Sequence, residues 1–312
     1  MTQENPVTAS VHSSSDGTAG GPARSPFRQV LSALLRDKLA LSGIIIVTTF
    51  VLAAVFAPLI APQNPYDLAQ LDIMDGRLPP GSASMTGMPY LLGTDTQGRD
   101  LFSAILYGLR TSLLVGLSSA AIALLIGASI GLVSAYVGGR LDSVLMRIVD
   151  IQLSFPAILI ALIFLAILGQ GVDKIILALV VTQWAYYART VRGSALVERK
   201  RAYVDAARSM ALTDRRILFR HILPNCLPPL IVVATMRVAY AIMLEATLSF
   251  LGIGLPVTEP SLGLLISNGF EYLLSGVYWI SFFPGIVLLL LIVGINLIGD
   301  SLRDILNPRR EG

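Results

Sequence analysis

The chain has 312 residues, of which 54% are hydrophobic and 14% charged, with a formal net charge of only +3. A soluble domain carries roughly a quarter charged residues, so this composition excludes one and indicates a protein dissolved in lipid. The single cysteine, Cys226, excludes an intrachain disulfide and any cysteine-based metal site.

Residues 1–38 read as a cytoplasmic tail, disordered to about residue 26, because Ser, Thr, Gly and Pro dominate and large apolar side chains are scarce. A cleaved signal peptide is the rival reading, with Ala54 to Ala57 as its cleavage site. The apolar run is longer than an h-region and its positive flank lies far from the start, which argues against cleavage. A transmembrane domain is expected over 39–308, with a second short tail at 309–312. Apolar runs of about 20 residues cross a hydrocarbon core of roughly 30 Å. Six are drawn, at 39–60, 111–136, 149–168, 175–196, 227–251 and 278–298.

Counting loops alternately, one side gathers the tail charges, Arg140, Arg147, the run from Arg189 to Arg220, Arg303, Arg309 and Arg310. The other side holds Arg77, Arg99, Arg110 and Lys174, and its 252–277 segment has Glu259 and Glu271 but no Lys or Arg. The positive-inside rule then places both termini in the cytoplasm. A seventh span at 261–275 would break this rule; following Pro256 and Pro260, that stretch reads instead as a short helix at the outer interface.

Residues 63–106 form a long outer loop with Gly93, Thr94, Asp95, Gly98, Arg99 and Asp100 at its centre. The glycines mark turns and Asp100 is placed to cap the helix that follows. Asp95 and Asp100 together raise a divalent-ion site, but a packed turn or a contact surface for an external partner needs fewer assumptions. Within the second span Gly127 and Gly131 make a small-xxx-small face for close helix approach. Phe155-Pro156 is expected to kink the third span.

The longest charged interval between apolar segments is the coupling-loop region 199–226. Residues 202–210 should form a short helix, broken near Ala211-Leu212, after which Thr213 caps a second helix with Asp214 in its first turn. Ile217, Leu218 and Ile222 share one face of that helix, and Pro224 is expected to end it. In the fifth span Arg237 and Glu245 are about 12 Å apart along the axis, too far to pair. One or both face a polar pathway, or else they pack between helices with Arg237 snorkelling inward.

No catalytic constellation is present. The three lysines Lys38, Lys174 and Lys200 follow Asp, Asp and Arg, so no phosphate-binding loop ending in Gly-Lys-Ser/Thr exists. The two histidines, His12 and His221, form no zinc motif, and Asp150 has no intramembrane aspartate partner for proteolysis.

The order Asp205-Ala206-Ala207, then Ala211, then Ile222-Leu223-Pro224, resembles the cytoplasmic EAA loop of permease subunits of binding-protein-dependent ABC importers. Asp205 stands where Glu is usual in that family and Ala211 where Gly is usual. The 93–100 block resembles the GTDxxGRD segment of the C-type permeases of dipeptide and oligopeptide importers, as do Glu245 to Gly252 and Leu302-Arg303-Asp304. The resemblance implies an all-α, type I importer fold with no enzyme activity or cofactor of its own. It also implies a second, non-identical permease, two ATPases that bind ATP and Mg, an external binding protein and a peptide cargo. Residues 205–207, 211, 213, 214, 217, 218 and 222–224 would couple the chain to the ATPases. A nickel-chelate or other small-solute permease keeps the same architecture, while an ATPase-independent transporter or channel is the rival of another class.

Overall fold

A computed structural model describes residues 26–67, 71–84, 87 and 89–306. The expected disorder before residue 26 and the 309–312 tail lie outside the described residues. Helices α1 (Pro26–Arg36) and α2 (Lys38–Val55) meet at Asp37, whose carboxylate accepts from Leu39 N at 3.0 Å and from the Ser301 hydroxyl at 2.7 Å. After α3 (Ala57–Ile60) comes a segment with one 3-10 turn at Ile73–Asp75 and a two-stranded ribbon. In it β1 (Ser82–Ala83) pairs antiparallel with β2 (Pro89–Tyr90).

The second long helix, α4 (Leu101–Val137), is 37 residues long. It starts ten residues before the expected span because Asp100 caps it and its first turns, Leu101 to Leu106, are packed rather than solvated. Its partner is α7 (Val172–Glu198). A Cβ on Gly127 would sit 2.2 Å from Trp184 O, and one on Gly131 would sit 2.3 Å from Ala188 O. The small-xxx-small face therefore lets two backbones touch, and only glycine fits.

Between these helices, α5 (Gly139–Ser154) and α6 (Ala157–Leu168) meet at 90° across Phe155-Pro156, a sharper break than a kinked span. Pro156 has no N–H to give and pushes Phe155 to an extended backbone, ψ 142. On the basic side lie α8 (Ala202–Ser209) and α9 (Asp214–Ile217), followed by a π turn at Leu218–Ile222 and α10 (Leu223–Phe250). The chain closes with α11 (Leu262–Phe270) and α12 (Trp279–Ile305).

Pro224 does not end the second loop helix. Helix runs without interruption from Asp214 to Phe250, with Pro224 in the first turn of α10, where a missing N–H is tolerated. The π turn absorbs the fault: Leu223 N–H reaches back to Leu218 O, and Asn225 Nδ2 supplies a donor to His221 O at 2.7 Å.

By length and composition four helices can cross a membrane: α2, the Asp214–Phe250 run, α4 and α12. The bent α5–α6 pair makes a fifth if counted as one span. Helix α7, 27 residues long, carries Gln183, Arg189 and Arg192 and is not among them. The 261–275 stretch is the short helix α11, with Leu262, Gly263, Leu264 and Leu265 buried against the bundle. The three largest apolar clusters among the described residues hold the bundle together. One joins α4, α10, α11 and α12 through Leu109, Ile242, Leu265 and Ile280, and a second joins α6, α7 and α10 through Leu165, Leu179 and Leu248. The third underlies the basic loop through Tyr187, Val204, Ile217 and Cys226.

Candidate functional site

The basic loop is built as two helices back to back. In α8 Val204 and Ala207 turn inward while Asp205 and Ala206 are exposed, and Asp205 meets Arg208 at 3.7 Å. The chain reverses at Ala211, whose φ is +53. Leu212 N bonds Ala207 O at 3.2 Å and Ala211 N bonds Arg208 O at 2.9 Å, the paired bonds of a helix end that glycine normally makes. An alanine there bears a left-handed strain of roughly 1–2 kcal/mol.

Thr213 occupies the cap position of α9, yet its hydroxyl makes no capping bond; the Asp214 carboxylate instead accepts from the Tyr136 hydroxyl at the end of α4. Ile217, Leu218 and Ile222 do share a face, and that face is buried in this chain's own core with Val191, Ala195 and Cys226. Leu223 is half-buried. The expected coupling residues thus divide. Ala207, Ile217, Leu218 and Ile222 hold the loop on the bundle, while Asp205, Ala206, Ala211, Thr213, Asp214 and Pro224 face outward. The outward surface also includes Met210, Arg215, Arg216, Phe219 and Arg220, of which Met210 and Phe219 are 73% and 61% exposed. An aromatic ring alone in a basic run was the sequence signal for Phe219.

At the N-terminal end of α4 the 93–100 block forms a closed cap. Asp95 and Arg99 are 0% and 1% exposed and paired at 2.6 Å, and Arg99 also reaches Val257 O at 3.3 Å. Asp95 Oδ1 accepts from Gln97 N and Arg99 N, so its carboxylate is fully engaged. Asp100 accepts from Ser103 N at 2.8 Å and Ser103 Oγ at 2.6 Å, and its own N–H goes to Gln63 Oε1. Burial nonetheless pushes the Asp100 carboxyl up, against those bonds. Thr94 Oγ1 donates to Asp75 O at 2.6 Å and accepts from Leu78 N, and Trp279 Nε1 donates to Thr94 O. Gly93 and Gly98 take φ +82 and +76. These carboxylates are spent on a packed turn and offer no shared face to a cation.

Glu245, expected with Arg237 as a candidate for a polar pathway, is enclosed. It is 0% exposed and accepts from Ser112 Oγ and Ser249 Oγ, both at 2.8 Å, tying α10 to α4. Arg237 is half-buried, and among the described residues no ion pair joins it to Glu245. Its guanidinium lies 3.3 Å from the Tyr186 ring centroid and 5.2 Å from that of Tyr240. Neither tyrosine is among the residues expected from the sequence, although two phenols in apolar helices are themselves a signal for a polar contact. Nor is Arg192, whose Nε and Nη2 grip Asp142 at 2.6 Å each, joining α7 to α5.

This architecture has known counterparts. Residues 123–312 match the family of binding-protein-dependent transport system inner membrane components, and residues 25–80 match the N-terminal transmembrane domain of oligopeptide transport permease C. A putative peptide transport system permease protein of Brucella abortus is 43% identical over 286 residues, covering 92% of this chain and 93% of that protein. The dipeptide transport system permease protein of Alkalihalophilus pseudofirmus is 38% identical, with 93% and 92% covered. A probable D,D-dipeptide permease of Escherichia coli is also 38% identical, with 88% and 89% covered. Among solved structures, an inward-facing form of the MetNI methionine ABC transporter superposes with a TM-score of 0.53 at 23% identity. It covers 65% of this chain and 96% of that one, and supports the fold alone. The chain therefore belongs to the inner-membrane components of binding-protein-dependent transport systems, as a multi-pass ABC-importer permease subunit rather than the ATP-hydrolysing part.

Proposed function

We propose that this subunit imports peptides, forming half of a translocation pathway with a second, non-identical permease. The reading rests on relatives named for peptide, dipeptide and D,D-dipeptide transport, each aligned over nearly the whole chain. Six spans with both termini in the cytoplasm fit the charge distribution if the bent α5–α6 pair and the more polar α7 each cross once. An external binding protein delivers the peptide, and two ATPase subunits bind ATP and Mg on the cytoplasmic face.

The observation that carries the coupling role is the exposed surface of the basic loop. Met210, Arg215, Arg216, Phe219 and Arg220 stand outward on a base whose apolar face is already buried, and helix continues from it into α10. A motion of ATPases seated there passes into the bundle through a packed element with discrete positions. The test is ATP-driven uptake of a labelled dipeptide by proteoliposomes holding the complete complex. Phe219→Ala combined with Arg216→Glu should lower uptake by about tenfold or more and weaken ATPase association, since interface aromatic and arginine residues carry most binding energy. Full uptake with that double change, or uptake without ATPases, would sink the proposal.

A further inference from the structure

We infer that Arg237 is the anchor for the terminal carboxylate of the transported peptide, a role that rests on the peptide reading above. Arg237 lies at the middle of the 28-residue α10, fourteen residues after Leu223 and thirteen before Phe250. A guanidinium at such a depth costs roughly 2.5–3.5 kcal/mol on insertion scales unless it meets water or a polar partner. Among the described residues it has no hydrogen bond and no ion pair; the rings of Tyr186 and Tyr240 are its companions.

A cation over an aromatic ring uses none of its N–H donors in hydrogen bonds, so those of Arg237 remain to be met. The charge is thus held in place without being neutralised. A planar fork of donors matches a planar carboxylate through two parallel bonds, which an ammonium cannot do. Beside it on α7, both polar atoms of Gln183 and the Tyr187 hydroxyl are buried with no partner among the described residues, at i, i+3 and i+4 with Tyr186. Unpaired buried polar groups at mid-helix point to water or a polar ligand passing that face.

On α10 itself Met236 and Met243, one residue before Arg237 and three after Tyr240 in sequence, are 40% and 45% exposed. Such flexible thioethers accommodate varied side chains, whereas the carboxylate is common to every peptide. One fixed cationic fork among adaptable walls suits a carrier that holds its cargo by the end and leaves the side chains unread.

The experiment uses the complete importer with Cys226, the chain's single and buried cysteine, replaced by alanine, so that Arg237→Cys supplies the only thiol of this subunit. Arg237→Cys should lower ATP-driven dipeptide uptake by about tenfold, the loss of roughly one charge-assisted contact. Aminoethyl methanethiosulfonate, which restores a cation, should recover uptake; the sulfonatoethyl reagent, which adds an anion, should not. Without the external binding protein, the Cys226→Ala parent complex should bind a free-acid dipeptide more tightly than its C-terminal amide, and Arg237→Gln should erase that difference. Arg237→Lys, which keeps charge but not the fork, should fall between. Failure of either reagent to reach the introduced thiol, equal recovery with both, undiminished uptake by Arg237→Cys, or equal binding of acid and amide by the parent would overturn the assignment. A parent complex that imports no peptide with its ATPases and binding protein present would instead overturn the peptide reading itself.

Discussion

The cap over the start of α4 and the basic loop before α10 contradict the usual equation of helix with rigidity. The cap has scarcely any regular structure, yet Thr94, Asp95, Arg99, Asp100 and Ser103 are all at most 1% exposed and bonded to one another or to nearby backbone. The basic loop is mostly helical, yet it buries one apolar face and leaves its charges, its turn and its aromatic side chain in the open. A segment made to hold still spends its polar groups inward, and a segment made to meet a partner keeps them outward.

The sharpest way to break this contrast is Asp95→Ala. It leaves Arg99, with an already unpaired Nη2, as an uncompensated buried cation, and should destabilise the protein by about 3–5 kcal/mol. Thermal unfolding in detergent would measure it, and Arg99→Met in the same chain should recover most of the loss. Next comes Gly98→Ala. The new Cβ would lie 2.0 Å from Asp72 O at φ +76, so backbone must move, at a cost of about 2–4 kcal/mol in the same assay.

A smaller effect is expected with pH. The Tyr90 hydroxyl donates to Asp75 at 3.0 Å, and burial, then that carboxylate, push it up to about 12. A phenol in the unfolded chain ionises near pH 10. Because the folded value is raised, the stabilisation is whole below pH 10 and is lost as pH rises towards 12. Tyr90→Phe should flatten the alkaline limb of the unfolding profile; an unchanged limb would mean that the cap opens by another route. The smallest effect belongs to the basic loop. Ala211→Gly should stabilise by about 1 kcal/mol, the left-handed strain being partly offset by backbone entropy, and Ala211→Val should destabilise.

Much of this was legible in the chain. The Gly127 and Gly131 face, the Asp100 cap, the break at Phe155-Pro156 and the reversal at Ala211 are local rules, in which residue type and spacing nearly fix geometry. The failures are of another kind. Pro224 was read as a stop because local sterics favour one, but a π turn and the Asn225 amide supplied what the proline lacked. For Glu245 both a polar pathway and helix packing stood open, because the sequence does not reveal that Ser112, 133 positions away, bonds its carboxylate. The 37-residue α4 outran its apolar run because tertiary burial of Leu101 to Leu106, rather than lipid, covers its first turns.

The unbroken helix from Asp214 to Phe250 also has a mechanical side. Its 37 residues make a rod of roughly 55 Å at 1.5 Å per residue. Glu245 bonds it to Ser112 near one end, and its other end carries the basic surface on a buried apolar face. A tilt of about 5° about that bond sweeps the Asp214 end through roughly 4 Å while Arg237, near the fulcrum, moves only about 1 Å. Under the proposed coupling and anchor roles, a large stroke at one membrane face would arrive at mid-bilayer as a displacement about the length of a hydrogen bond's tolerance, enough to make or release a single ionic grip.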